Sequence, residues 1–213
     1  MLENCEVAAK LYELTSGDQR SWRKLLKFGE TLSLDEKRKF LWTWPTEENL
    51  LKFKNICKLL EIHNILSIGC GSGLLEWIIK ESVDIIIYGL EVDKTWWTSG
   101  YAVKSFIDLN YMDESDDNDS ATPTNSSEYL QLCAHVSNWQ FAILFCYFNN
   151  RLAFTNYLQL YKGTWIIIIG PTPHIGIHTD PNPLEPNFPV QSWRLHSIIP
   201  LCHSDVVAFY TNK

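Results

Sequence analysis

No stretch of the 213-residue chain is apolar over the length needed to cross a bilayer, and Met1-Leu-Glu-Asn-Cys-Glu lacks the basic-then-apolar pattern of a secretory leader. A membrane role is therefore not expected, and a cytoplasmic location is. None of the six cysteines, at 5, 57, 70, 133, 146 and 202, forms a Cys-x-x-Cys pair. They read as small buried apolar residues of a reducing compartment, not as a disulfide framework. No dense run of Lys and Arg stands out, which argues against tight non-specific nucleic-acid binding while leaving a small RNA substrate open. A P-loop lysine and a Gly-x-Ser-x-Gly elbow are both missing.

The charge that is present is concentrated. Asp113, Glu114, Asp116, Asp117, Asp119 and Glu128 lie within a segment without Lys or Arg, and removing those six acids from a net charge of −7 leaves about −1. Residues 113–127, rich in Asp, Asn, Ser and Thr, cannot bury apolar area and are expected to form a disordered surface loop. At this length, one sizeable core is expected.

The chain is organised around Ile65-Leu-Ser-Ile-Gly-Cys-Gly-Ser-Gly-Leu-Leu-Glu-Trp-Ile-Ile-Lys80 and Ile85-Ile-Ile-Tyr-Gly-Leu-Glu-Val-Asp93. A short apolar strand runs into a glycine-rich turn (Gly69, Gly71, Gly73), then an apolar helix, then a second buried strand ending at Glu91, 20 residues after Gly71. Glycines allow a sharp turn and close approach of backbone to ligand. The helix N-terminus behind them offers free N–H groups. A carboxylate ending the second strand can accept from both hydroxyls of a ribose, with Asp93 as the alternative to Glu91. Dinucleotides and S-adenosylmethionine both fit such a unit. A dinucleotide turn wants a small residue where Leu74 stands, which disfavours a nicotinamide-linked dehydrogenase.

On either side of this unit, periodicity gives the remaining elements. Residues 1–44 read as a helical cap, with Ser33 before Asp35-Glu36 as a helix start, followed by an aromatic cluster ending at Trp42-Thr-Trp-Pro45. Thr46 to Leu60 reads as a helix. Lys94 to Phe106 reads as another, Phe106 to Met112 as a third strand and Tyr129 to Val136 as a short helix. Trp139 to Tyr147 and Thr164 to Gly170 are buried strands flanking a helix over 153–161. Pro171 to Ser192 holds six of the nine prolines and is expected to lid an acceptor pocket. Trp193 to Ile199 and Asp205 to Tyr210 read as an antiparallel hairpin. Alternating helices and strands ending in a hairpin give an α/β fold: a mostly parallel twisted sheet with an antiparallel C-terminal strand.

Over residues 42 to 211 the chain resembles the class I S-adenosylmethionine-dependent methyltransferases. The likeness rests on the Gly69–Gly73 turn, Trp42-Thr-Trp-Pro45 as an entry, Leu144-Phe-Cys-Tyr-Phe-Asn-Asn150 at the fourth strand, and Tyr161-Lys-Gly163 before Ile166 to Gly170. It is closest to a poorly characterised subgroup. Two departures stand out. Ser67 replaces the acidic residue common two places before the first glycine, and Tyr147-Phe-Asn-Asn150 replaces a Pro-Pro element. The resemblance implies a methyltransferase-like domain over 45–213. It also implies S-adenosylmethionine held by Trp44, Gly69, Cys70, Gly71, Gly73, Glu91 and Val92, with Tyr147, Asn149 and Asn150 at the catalytic edge.

Methyl transfer is an in-line displacement whose main demands are alignment and exclusion of water. An Asn carbonyl can accept an N–H of an amine nucleophile, and Tyr147 can lie near the cationic sulfur. Asn149-Asn150 also reads as a plain loop or cap pair, and Trp42 and Trp44 as core. His174-Ile-Gly-Ile-His178 sits among prolines that forbid a helix, so no metal site is expected; His178 remains a candidate base. The expected function is methyl transfer to a small molecule or a protein side chain. The alternative is an inactive module that binds S-adenosylmethionine, S-adenosylhomocysteine or a protein partner.

Overall fold

The structure, a computed structural model, describes residues 2–111, 130, 138–173, 175–190 and 192–213. The expected acidic loop at 113–127, the expected helix over 129–136 (Leu130 apart) and His174 lie outside these residues. Three helices open the chain: α1 (Leu2–Thr15), α2 (Trp22–Thr31) and α3 (Leu34–Phe40). The start of α3 is fixed by a reciprocal cap, with Ser33 Oγ accepting from Glu36 N at 3.3 Å and the Glu36 carboxylate accepting from Ser33 N at 2.8 Å. Thr46 caps α4 (Glu47–Leu59) in the same position.

The elements β1 (Asn64–Ile68), α5 (Leu74–Val83) and β2 (Ile86–Glu91) form the central crossover. They are followed by α6 (Lys94–Trp97), β3 (Leu109–Tyr111), β4 (Ala142–Cys146), α7 (Arg151–Leu160), β5 (Trp165–Pro171), β6 (Arg194–Pro200) and β7 (Asp205–Thr211). The seven strands form one sheet in the order β3-β2-β1-β4-β5-β7-β6. β1 pairs in parallel with both β2 and β4, whereas β7 runs antiparallel between β5 and β6. The expected hairpin is therefore present, with its second strand inserted next to β5.

Alternation along the strands divides the core between the two faces of the sheet. Ile65, Ile87, Leu144, Ile167 and Phe209 pack with α5, with Leu50 and Phe53 of α4, and with Leu11, Leu14, Leu25 and Leu26 of the N-terminal helices. Leu66, Ile68, Ile143, Phe145, Ile166 and Tyr210 pack with Phe154, Tyr157 and Leu158 of α7. The N-terminal helices thus share a core with the sheet.

Three expected elements are shorter than their apolar pattern suggested, and the strand expected over Trp139 to Tyr147 is confined to Ala142–Cys146. The helix expected over 94–106 stops at Trp97. Thr98 Oγ1 turns back to the Lys94 carbonyl at 2.8 Å, Ser99 Oγ accepts from Tyr101 N at 3.3 Å, and Gly100 follows. Side chains that bond the local backbone in this way compete with helix continuation. The third strand begins at Leu109 instead of Phe106, because Phe106 N–H donates to the Ser72 carbonyl at 2.8 Å and Ile107 packs over Gly73 and Gly89.

Candidate functional site

A cavity of about 420 Å³ opens at the carboxyl ends of β1 and β4, the neighbouring strands at which the chain order reverses. Open α/β sheets bind ligands at such a crevice. A larger cleft of about 880 Å³ runs beside the first half of β2, away from the glycine-rich turn. The floor of the smaller cavity is Gly69 to Ser72 with Leu75 and Glu76. One side is Trp96, Trp97 and Tyr101 to Val103, the other is Cys146 and Tyr147, and Arg38 to Trp42 form the outer wall.

The turn has the conformation its glycines allow. Gly69 and Gly71 have φ of 67° and 62°, in the left-handed region that L side chains rarely adopt. Gly73, at φ 75°, is the N-cap of α5, where a Cβ would overlap the Ile107 side chain. Glu91 is buried at the end of β2, and its Oε1 accepts from Gly71 N at 2.5 Å. Burial raises its pKa above the ordinary carboxylate value, against hydrogen bonds from the Gly71 and Val92 backbones and the Trp97 side chain. The carboxylate expected to face a ligand thus also ties the turn together.

A second carboxylate, absent from the expected site, lies on the cavity floor. Glu76 is 1% exposed. Its Oε1 accepts from Ser67 Oγ at 2.7 Å, and its Oε2 has no hydrogen-bond partner among the described residues. Burial pushes its pKa up to about 7, the Ser67 hydrogen bond opposes this, and the Glu91 charge adds to it. The available signal was an acid inside the apolar run Leu74-Leu75-Glu76-Trp77-Ile78-Ile79, because a charge on a helix buried on all faces must be buried with it. Burial, together with Glu76, also raises the thiols of Cys70 and Cys146, so both remain neutral.

At the exit of β4, Tyr147 has φ 50°, a costly conformation for a bulky residue that persists only where the surroundings impose it. Here its N–H donates to the Ile169 carbonyl at 2.9 Å, and its hydroxyl donates to Asp205 Oδ1 at 2.6 Å. Asp205, 2% exposed, also accepts from Cys202 Sγ at 3.0 Å through Oδ2. Burial, then the Asp205 carboxylate, drives the Tyr147 phenol far above its ordinary pKa. Its ring stacks on Trp42, with centroids 5.6 Å apart and planes at 21°, and the Arg38 guanidinium lies 5.8 Å from the Trp42 ring centre.

Of the residues expected at the site, Gly69, Cys70, Gly71 and Tyr147 line the cavity, and Glu91 is joined to it through Gly71. Gly73 shapes the turn from behind, and Val92 is an exposed residue outside the lining. Trp44 is displaced: it packs on α2, where Gly29 leaves room for its ring, and Trp42 occupies the cavity wall instead. Asn149 and Asn150 are also outside the lining. Asn149 bridges to Asp180, and the Asn150 side chain caps α7 by accepting from Ala153 N at 3.0 Å. The proline-rich segment after β5 does not lid this cavity. Phe188 packs on Phe154, Tyr210 and Trp193, and Arg151 bonds Asp180 and the Pro186 carbonyl, which fastens the segment over α7. His178 is exposed and outside the lining.

No family model and no curated protein matches the chain. Among solved structures it is similar to the 16S rRNA methylase ArmA, with 15% identity, coverage of 90% of this chain and 97% of that chain, and a TM-score of 0.48. A magnesium protoporphyrin IX methyltransferase from Synechocystis is 7% identical, with 95% and 89% covered and a TM-score of 0.42. A SAM dependent methyltransferase from Aquifex aeolicus is 13% identical, with 91% and 99% covered and a TM-score of 0.42. The strand order, with β7 alone reversed among the described strands, decides the architecture. The fold is of the class I methyltransferase type. No helix among the described residues is long and apolar enough to cross a membrane.

Proposed function

We propose that this cavity binds S-adenosylmethionine and that the chain is a methyltransferase acting on a small molecule or a protein side chain. The observation that carries this reading is the hydrogen bond from Gly71 N–H to Glu91. It brings the glycine-rich turn and a buried carboxylate together at the carboxyl edge of the sheet, the pairing suited to a nucleoside. The residues fit the group. Among the described residues, a side-chain atom at Gly71 would meet only the Trp97 ring, at 3.8 Å, which leaves the backbone open to close approach. Trp96 and Trp97 offer flat apolar cover for a purine.

S-adenosylmethionine, when bound, supplies a methyl group on a positively charged sulfur. The chain's own part is positioning and exclusion of water. The stacked Trp42–Tyr147 pair presents aromatic surface on the β4 side, where a cation is favoured. Tyr147 gives its hydroxyl proton to the hydrogen bond with Asp205, so it shapes the pocket and takes no proton from an acceptor. Residues 1–44 act as a cap whose last segment, Arg38 to Trp42, closes the outer wall over the domain formed by 45–213. A cytoplasmic setting suits the neutral thiols of Cys70 and Cys146.

One observation favours the inactive binding module as a second reading: the Asn150 amide, expected to meet the acceptor, is committed to capping α7. Two measurements separate the readings. Calorimetry with S-adenosylmethionine, S-adenosylhomocysteine and NAD tests the ligand class, and preference for NAD would overturn the proposal. Transfer of a labelled methyl group into cell extract tests catalysis. Tight cofactor binding with no labelled acceptor would leave the binding module.

A further inference from the structure

We infer that Glu76, together with Ser67, is the site for the primary ammonium group at the amino-acid end of the bound donor. This rests on the cofactor reading above and names a residue for one part of that ligand. Glu76 is a carboxylate within the apolar core, lining the cavity, with one oxygen satisfied by a single hydroxyl and the other by nothing among the described residues. A buried acceptor left in this way is costly, and a carboxylate can accept about four hydrogen bonds. An ammonium group carries three donors and the compensating charge, so it meets both deficits at once.

The surroundings fix the sign of the ligand group. Ser67 faces Glu76 from β1. Cys70 of the turn and Cys146 of β4 are close enough for Glu76 to raise both thiols, and Glu91 on β2 adds a second negative charge. Arg38 and Lys39 belong to the outer wall of the same cavity. A phosphate at the start of α5 would meet the Glu76 carboxylate in the helix's first turn, where a dinucleotide places its pyrophosphate. Glu91 ends β2 and bonds the turn, while Glu76 bonds Ser67 of β1, so the two carboxylates offer separate places for a diol and for a cation.

The test is calorimetry on the full chain. Wild type and Glu76→Gln are each titrated with S-adenosylhomocysteine and with its analogue in which the α-amino group is replaced by hydrogen. Wild type should lose about tenfold to a hundredfold in affinity for the analogue, the range of a charge-assisted hydrogen bond. Glu76→Gln, which can still bond Ser67, should lose a similar factor for the intact ligand and little more for the analogue. Equal discrimination by both proteins overturns the assignment while leaving the cofactor reading intact. Failure of wild type to bind either compound overturns both.

Wild type alone provides a second readout, should Glu76→Gln not fold. At pH 6, titrations in buffers of different ionisation enthalpy should show protons released when the amine-bearing ligand ionises Glu76, and none with the analogue. Equal proton release with both ligands also overturns the assignment.

Discussion

The two sides of the cavity are built differently. On the β2 side, Glu91 is fixed by local sequence: a strand, a turn of fixed length, a helix and a second strand deliver its carboxylate to the Gly71 N–H. On the β4 side, the groups come from separated parts of the chain: Tyr147 from the β4 exit, Asp205 from β7 and Trp42 from the cap. A spacing motif specifies the first arrangement. The second exists only once the sheet has closed, so Glu91 stood out in the sequence and the Tyr147–Asp205 bond did not.

The comparison is sharpest in how stability responds to pH. The Glu76 pKa is raised from the model-peptide value to about 7, so the folded state holds this proton more tightly than the unfolded chain. That stabilisation is present below about pH 4.5 and is lost as pH rises toward 7, by about 3 kcal/mol at 1.36 kcal/mol per unit. Glu91 is shifted in the same direction and adds to the slope. The melting temperature of the ligand-free protein should fall between pH 5 and pH 7.5, and Glu76→Gln should remove most of the fall. An unchanged slope in that variant would show that Glu76 does not hold its proton to neutral pH.

The next effect tests the β2 side. Glu91→Ala should weaken cofactor binding by about 1.5–3 kcal/mol, roughly tenfold to a hundredfold. A carboxylate at a solvent-facing strand end would contribute little to folding. This one is buried and holds Gly71, so the substitution should also cost about 1–3 kcal/mol of stability. Asp93 makes a useful control. Its side chain caps α6, accepting from Trp96 N at 2.7 Å, so Asp93→Ala should leave affinity unchanged. Loss of affinity in Asp93→Ala alone would transfer the ribose role to that residue.

What could be read from the sequence follows the same division. Parallel pairing, the C-terminal hairpin, the turn and Glu91 follow from local pattern plus the rules for parallel crossovers, whereas the order of the strands in the sheet was implied only by the family resemblance. The choice between Trp42 and Trp44 does not, because it depends on Gly29, many residues upstream in α2, leaving space for the Trp44 ring. The proline-rich segment after β5 was equally illegible. Its position over α7 is set by Phe188 finding Phe154 and Tyr210, contacts with no local signature.

Tyr147→Phe probes the β4 side with a smaller expected effect. It removes the proton donated to Asp205 Oδ1 and leaves a buried carboxylate oxygen short of a partner, at about 1–2 kcal/mol of stability. The ring that stacks on Trp42 remains, so cofactor affinity should hold within about twofold by calorimetry. A fall in methyl transfer far beyond the loss of folded protein would assign the hydroxyl a part in the reaction.

The smallest expected effect falls on a residue that sequence and structure place differently. Asn150, in a loop after a strand's carboxyl end, is where an acceptor-facing amide is expected in a fold of this type. In the structure its side-chain oxygen accepts from Ala153 N, and its own N–H donates to the Asp180 carbonyl at 3.1 Å. The helix it caps carries Phe154, Tyr157 and Leu158 into the core on the far face of the sheet. Asn150→Ala should therefore cost about 1 kcal/mol of stability, the usual value of an N-cap, with cofactor affinity and methyl transfer per folded molecule unchanged. Asn150→Asp retains the oxygen and should restore the stability. Denaturant melts of the three proteins, paired with a transfer assay, separate the roles: a stable Asn150→Asp that transfers no methyl would make the amide itself part of the acceptor site, on the β4 side where distant residues already supply Asp205 and Trp42.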